Sequence, residues 1–204
     1  MSSTTRFSVF RKALRARGTD GSAAIEFAFI APVFFALMLG ILQLGIMIFG
    51  QFTLQNAVTE AARLIRTGQA QNINAANAGT QPQCAGSTGA AYGYASPAAW
   101  FQGQICCGVS AILDCTKLSV MVAPSSSFSG SGFSGLTTPG YNPGAACDVV
   151  LAMATYKFPI WIPGLPQLLK GSWTFEDSAG SGSHTIWGTS AFRNEPFDPA
   201  VGGC

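Results

Sequence analysis

The sequence predicts an α+β protein. One long N-terminal helix crosses a membrane and continues past it, and a small, mainly antiparallel β-sheet domain with disulfides follows. Three observations carry that expectation. An apolar run from Phe27 to Phe49, 23 residues interrupted only by Gln43 and small residues, is long enough for a bilayer core at about 1.5 Å per residue. Apolar residues at helical spacing persist beyond that run. All six cysteines lie after it, an even count that reads as a disulfide framework in an oxidising compartment.

Charge gives the orientation. Arg6, Arg11, Lys12, Arg15 and Arg17 precede the apolar run, with Asp20 as the one acid among residues 1–21. From Gln51 onward, six basic residues are balanced by seven acids. This asymmetry predicts a cytoplasmic N-terminus and an exported C-terminal region. The expected division is a basic leader at 1–21, a transmembrane and extended helix at 22–68, and an exported disulfide-containing domain at 69–204. The apolar run exceeds the roughly 7–15 residues of a signal-peptide core, and Gly50-Gln51-Phe52-Thr53 after it is no A-x-A-like cut site, so the span is expected to be retained. Charged residues make up 10% of the chain and hydrophobic ones 48%, as in a membrane-tethered protein. No basic stripe remains in the larger region, which argues against a nucleic-acid partner.

Taken in order, the elements begin with a helix from Ser22 to Thr67, about 69 Å long. Ser22 is placed as its cap, and Glu26 sits near the first turn, where a carboxylate complements the helix dipole. Pro32 removes one backbone hydrogen bond inside the span, which membrane helices tolerate. Gly40, Gly45 and Gly50 permit close approach by a neighbouring backbone. Past the span, Leu54, Ala57, Val58, Ala61, Ala62 and Ile65 form one face, while Gln51, Gln55, Thr59, Arg63 and Arg66 fall on the other. Gly68 is a natural C-cap. Residues 69–94, rich in small and polar types, read as loop. Ser96 and Pro97 open a short helix, as cap and first helical residue. Leu118–Val122 and Asp148–Phe158 read as strands, separated by a long loop at 124–144. Pro159, Pro163 and Pro166 break the next stretch. Trp173-Thr174-Phe175 and His184–Phe192 are further short strands.

Candidate chemistry is sparse. Among Cys84, Cys106, Cys107, Cys115, Cys147 and Cys204, 15 full pairings are possible. Cys106 or Cys107 with Cys115 is the preferred first bridge, a short loop around the apolar Val109–Leu113. Cys84 and Cys204 sit in segments of small residues where a bridge removes the most disorder. The vicinal Cys106-Cys107 pair lacks a C-x-x-C frame, so two separate bridges are expected and no metal site. His184, the one histidine, reads as a packed or surface residue. Glu176 and Asp177 are adjacent and point to opposite faces of a strand, which suits neither general acid nor base. Trp100, Trp161, Trp173 and Trp187 are read as core packing in preference to a sugar-binding platform. No Ser-His-Asp arrangement, P-loop or dinucleotide fingerprint occurs, so neither enzymatic activity nor a cofactor is expected.

The segment Gly21-Ser22-Ala23-Ala24-Ile25-Glu26-Phe27 is the most informative. From position alone, Glu26 reads either as an interface marker or as a costly charge retained for a purpose. Gly21, Glu26, Phe27 and Pro32 together resemble the TadE-like family of tight-adherence (Flp-type) pilus proteins. Ala61-Ala62-Arg63 and Gly68 look like that family's post-membrane segment, and Phe192-Arg193-Asn194-Glu195 resembles its terminal Arg-x-Glu sequence. The resemblance implies a pseudopilin, cut by a prepilin peptidase between Gly21 and Ser22. Glu26 and Phe27 would then serve assembly, Glu26 pairing with the new α-amine of a neighbouring subunit. It implies an inner-membrane protein with a periplasmic domain. The implied partners are the major Flp-type pilin, a second pseudopilin and the assembly platform. The alternatives are an uncleaved single-pass assembly factor and an exported glycan-binding adhesin.

Overall fold

The computed structural model describes residues 20–80, 84, 94–125, 128, 140–161, 183–198 and 204. The expected leader up to residue 19, the strand at Trp173–Phe175 and the Glu176-Asp177 pair lie outside the described residues. The elements are helix α1 (Asp20–Arg66), helix α2 (Pro97–Val109) and strands β1 (Leu118–Ser125), β2 (Val149–Pro159) and β3 (Ser183–Arg193). The chain divides into two compact units, Met1–Leu44 and Gly45–Cys204, and the division falls within α1.

In the first unit, α1 is apolar around its whole circumference, and large side chains such as Phe29, Ile30, Leu37 and Ile41 are exposed. This helix is long and apolar enough to cross a membrane.

The second unit is built on an antiparallel sheet in the order β1-β2-β3. Val120 pairs with Ala154 and Val122 with Ala152, while Ala154 pairs with Gly188 and Tyr156 with Ile186. Alternation sends Leu118, Val122, Val150, Ala152, Ala154, Tyr156 and Ile186 to one buried face. Against it lies the predicted stripe of α1, with Leu54, Val58 and Ile65 fully buried beside Ala57, Ala61 and Ala62. Helix α2 adds Trp100, Phe101, Ile105 and Val109 to the same core. Each large apolar side chain so buried contributes about 1.5–3 kcal/mol. The opposite face carries Met121, Leu151 and Met153, which are half-buried.

Close approach is made possible by small residues. A Cβ at Gly188 would lie 2.9 Å from the Leu54 carbonyl oxygen and 3.1 Å from the Gln55 Cα. A Cβ at Gly108 would meet the Ala57 Cβ at 2.8 Å. The two glycines therefore set how near β3 and α2 come to α1.

Boundaries follow local chemistry. Ser96 caps α2, its hydroxyl accepting from the Ala99 N–H at 3.2 Å, with Pro97 at the helix start. Helix α1 ends at Arg66, and Gly68 in the turn after it adopts φ +79°, a conformation that costs a residue with a Cβ. Two short 3₁₀ turns, Ala70–Asn72 and Ala78–Thr80, occupy part of the segment read as loop, each burying an alanine. Tyr141 forms an isolated parallel bridge to Val122, which covers part of the free edge of β1. Its ring packs on Phe101 with centroids 5.5 Å apart.

Candidate functional site

The sequence-predicted residues Gly21, Ser22, Glu26 and Phe27 occupy the first turns of α1, and all are exposed. Because α1 starts at Asp20, Ser22 lies within the helix and is not its cap. Ser22 and Glu26, four residues apart, share a helix face. Among the described residues, Glu26 makes no ion pair or hydrogen bond.

At the other end of α1, Gln51 and Gln55, read as lying off the apolar stripe, reach the edge of the sheet. Both turn their amides onto β3. Gln51 Nε2 donates to the Trp187 carbonyl at 2.6 Å, and the Trp187 N–H donates to Gln51 Oε1 at 3.3 Å. Gln55 does the same with Thr189, at 2.7 and 3.0 Å. The spacing explains the match: four helical residues rise about 6 Å, close to the roughly 6.8 Å of two strand residues. Two side chains thus complete the hydrogen bonds of an edge strand, an exposed feature that otherwise invites pairing with another chain.

The segment after β3 clasps the end of α1. The Glu195 N–H donates to the Arg66 carbonyl at 2.9 Å, and its carboxylate lies 3.2 Å from Arg66 Nε. Asn194 is buried, and its side-chain amide donates to the carbonyls of Pro143 and Ala145 at 3.0 and 2.8 Å. Arg193 Nε donates to the Cys147 carbonyl at 3.0 Å.

The apolar helix α1 thus opens on Gly21 and Glu26 and docks onto the sheet unit through residues 51–66. Residues 21–63 match the family model for TadE-like protein. That match implies a role in tight-adherence pilus assembly. No curated protein and no solved structure matches the chain.

The TadE-like segment ends within α1, so the clasp, the sheet and the cysteines lie beyond the matched span. Three disulfides join Cys84 to Cys107, Cys106 to Cys115 and Cys147 to Cys204. The Cys106–Cys115 bridge closes a loop that buries Val109 and Leu113. The Cys147–Cys204 bridge ties Cys204 to the turn before β2. The Cys84–Cys107 bridge borders a groove of about 520 Å³ between α1 and α2, lined by Asn56, Ala61, Gln104 and Gly108, with Glu60 and Arg63 at its rim.

Among the described residues, no group of three or more His, Cys, Asp or Glu side chains could hold a metal ion. His184 is buried on the inner sheet face opposite Phe158, and burial holds its pKa below the ordinary histidine value. Burial likewise raises the Tyr141 phenol above its usual value. Asp114 is held below the ordinary carboxylate value by hydrogen bonds from the Thr116 hydroxyl and N–H. Among the described tryptophans, the reading as core holds for Trp100 alone. Trp161 is 82% exposed and Trp187 50%, while Trp173 lies outside the described residues. The alternation of β3 accounts for Trp187: Ile186 and Gly188 face α1, so the residue between them points outward.

Proposed function

We propose that this chain is a pseudopilin of tight-adherence pilus biogenesis. It is cut between Gly21 and Ser22 by a prepilin peptidase and held in the inner membrane by α1, with its disulfide-bonded domain in the periplasm. The match of residues 21–63 to the TadE-like family carries this reading. Its work is structural: α1 packs beside other pilin-like helices, and the domain docks onto the assembly. The expected partners are the major Flp-type pilin, a second pseudopilin and the inner-membrane platform.

Physical chemistry supports the cut. A glycine within a helix costs about 1 kcal/mol relative to alanine. At Gly21, a Cβ would meet nothing within 4 Å, so packing offers no return for that cost. A protease that must seat an extended backbone gains from the missing Cβ. Cleavage would place an α-amine on Ser22, and an intersubunit pair between that amine and Glu26 would relieve the cost of a carboxylate in hydrocarbon. Gly40 and Gly45, also with open space at their Cβ positions, leave room for neighbouring backbones. Gly50 differs, because its Cβ position contacts Ile186, Leu113 and Phe158 of the same unit.

Co-expression with a prepilin peptidase followed by N-terminal sequencing tests the cut. The expected product begins at Ser22, and Gly21→Ala abolishes it. An uncut terminus in both wild type and variant sinks the processing step. Glu26→Ala is expected to insert normally and impair piliation, and normal piliation would reduce Glu26 to an interface marker.

A further inference from the structure

We infer that the outer face of the sheet is a docking surface for one helix of a partner protein, apolar along one side and carrying carboxylates near both ends. Every residue the inference uses lies within the unit Gly45–Cys204. The inner face is filled by α1 and α2, so alternation turns the other set of side chains outward. Met121 pairs with Met153, and Leu151 sits between Ala123 and Ala191. Met121, Leu151 and Met153 are half-buried, and Trp187, next along the same face, is 50% exposed. The middle of this face is therefore apolar, and its methionine pair repacks easily around a partner.

Charge selects the partner. Strands β1, β2 and β3 contain no Asp or Glu, and exposed Lys157 and Arg193 stand toward opposite ends of the outer face. Among the described residues of this unit, Arg63, Arg66 and Lys117 face the carboxylates of Glu60, Glu195 and Asp114, whereas Lys157 and Arg193 form no ion pair. The bond from Arg193 Nε to the Cys147 carbonyl holds the guanidinium in place and leaves its charge. Asp148, just before β2, turns its carboxylate to the Ala145 N–H at 2.8 Å. A second copy stacked on this face would bring like charges together: Lys157 would meet Lys157 or Arg193, whichever way the strands ran. Two cations so far apart also fall short of the cluster of about four or more that anionic lipid rewards. An acidic protein segment matches both.

Dimensions select a helix. From Lys157 back to Val149, which pairs with Arg193, β2 covers about 26 Å, the length of an α-helix of roughly 18 residues. The outer strands of a three-stranded sheet lie about 10 Å apart, close to the roughly 10–12 Å diameter of one helix. A helix laid along β2 covers Met121, Leu151, Met153 and Trp187 with its apolar side. Its terminal carboxylates then reach Lys157 and Arg193. The sheet becomes the middle of three layers, with helices on both faces.

The test uses the full chain in detergent micelles, with carbon-13 methionine methyls read by NMR. Two peptides of about 18 residues share a leucine stripe, one ending in glutamates and the other in lysines. A soluble gadolinium chelate is expected to broaden the Met121 and Met153 methyls. The glutamate-ended peptide is expected to shift both and relieve the broadening. Met38, in the apolar stretch, registers peptide that merely enters the micelle and is expected to stay unmoved. The lysine-ended peptide should bind about fivefold more weakly at low ionic strength. K157E should reverse that preference. R193E should weaken the glutamate-ended peptide too, and K157E carries the charge test if R193E, which loses the bond to the Cys147 carbonyl, does not fold. Equal affinity for the two peptides, or a preference unchanged in K157E, overturns the charge match. A shift at Met38 alone overturns the docking surface. So does shielding of both methyls before peptide is added, which means that the chain itself covers the face or, where dilution exposes it, a second copy.

Discussion

Helix α1 contains two stretches of opposite fate. Within Met1–Leu44, Phe29 and Ile41 expose 78% and 71% of their surface; within Gly45–Cys204, Leu54 and Ile65 expose none. Apolar content and pattern both separate them. The first stretch is apolar all round, so no single protein face could cover it, and it needs lipid or several neighbouring helices. The second confines its apolar residues to one stripe, which one sheet face and α2 suffice to bury. A single helix can therefore serve two environments, with the change of period marking the border.

The largest expected difference comes from truncating one isoleucine in each stretch. Ile65→Ala should cost about 3 kcal/mol in equilibrium unfolding of the full chain in detergent, and Ile41→Ala within about 0.5 kcal/mol. Equal losses would mean that the exposed stretch is packed in a way the comparison denies. Next come the glycines. Gly188→Ala drives a methyl against the Leu54 carbonyl and should cost about 2 kcal/mol. Gly45→Ala has open space and should be neutral or stabilising by up to about 1 kcal/mol. A stable Gly188→Ala variant would show that α1 can shift away from β3 without loss.

Much of this border was legible in the sequence because its signals are local. The stripe from Leu54 to Ile65, the Ser96-Pro97 helix start, the Gly68 stop and the three described strands each depend on neighbours within a few residues. The Cys106–Cys115 bridge closes a short loop and was one of the two alternatives for the preferred first pair, whereas the partners of Cys84 and Cys204 depend on how distant segments fold together. The Gln51 and Gln55 clamp was missed for the same reason: its acceptors and donors lie more than a hundred residues away, and a glutamine on the polar side of a helix gives no local sign of them. Trp187 was misread because composition does not say which sheet face a residue takes, though the Ile186-Trp187-Gly188 alternation held the signal. At the candidate site, Gly21 and Glu26 were conspicuous through spacing. Their proposed partners belong to other molecules, so the fold of one chain adds only that both residues are exposed.

The glutamine clamp gives a smaller effect confined to the docked stretch. Gln51→Ala and Gln55→Ala should each cost about 1 kcal/mol and speed hydrogen exchange at the Trp187 and Thr189 amides. Gln55→Glu keeps an acceptor for the Thr189 N–H but loses the donor to its carbonyl, so it should fall between wild type and alanine. Unchanged exchange at both amides in the double alanine variant would show that the edge is protected by something other than the clamp. Loss of the clamp should also raise self-association through the uncovered edge, measurable by light scattering.

The smallest expected effect separates the stretches by pH. Burial lowers the His184 pKa below the ordinary histidine value of about 6.5, so the unfolded chain binds more protons than the folded one between the two values. Stability of the sheet unit is therefore full above about pH 6.5 and falls as pH drops from there toward the folded pKa. Asp114 does not confuse this window. Its lowered pKa stabilises the fold above the ordinary carboxylate value of about 3.9, and that contribution is lost only at more acidic pH. Unfolding midpoints measured from pH 8 down to pH 5 should decline for wild type, and His184→Gln should flatten the decline. The helicity of the first stretch should not change over the same range, because from Phe27 to Phe49 it carries no titratable side chain. A decline that persists unchanged in His184→Gln would assign the acid sensitivity to another group and remove this histidine from the distinction between the two stretches.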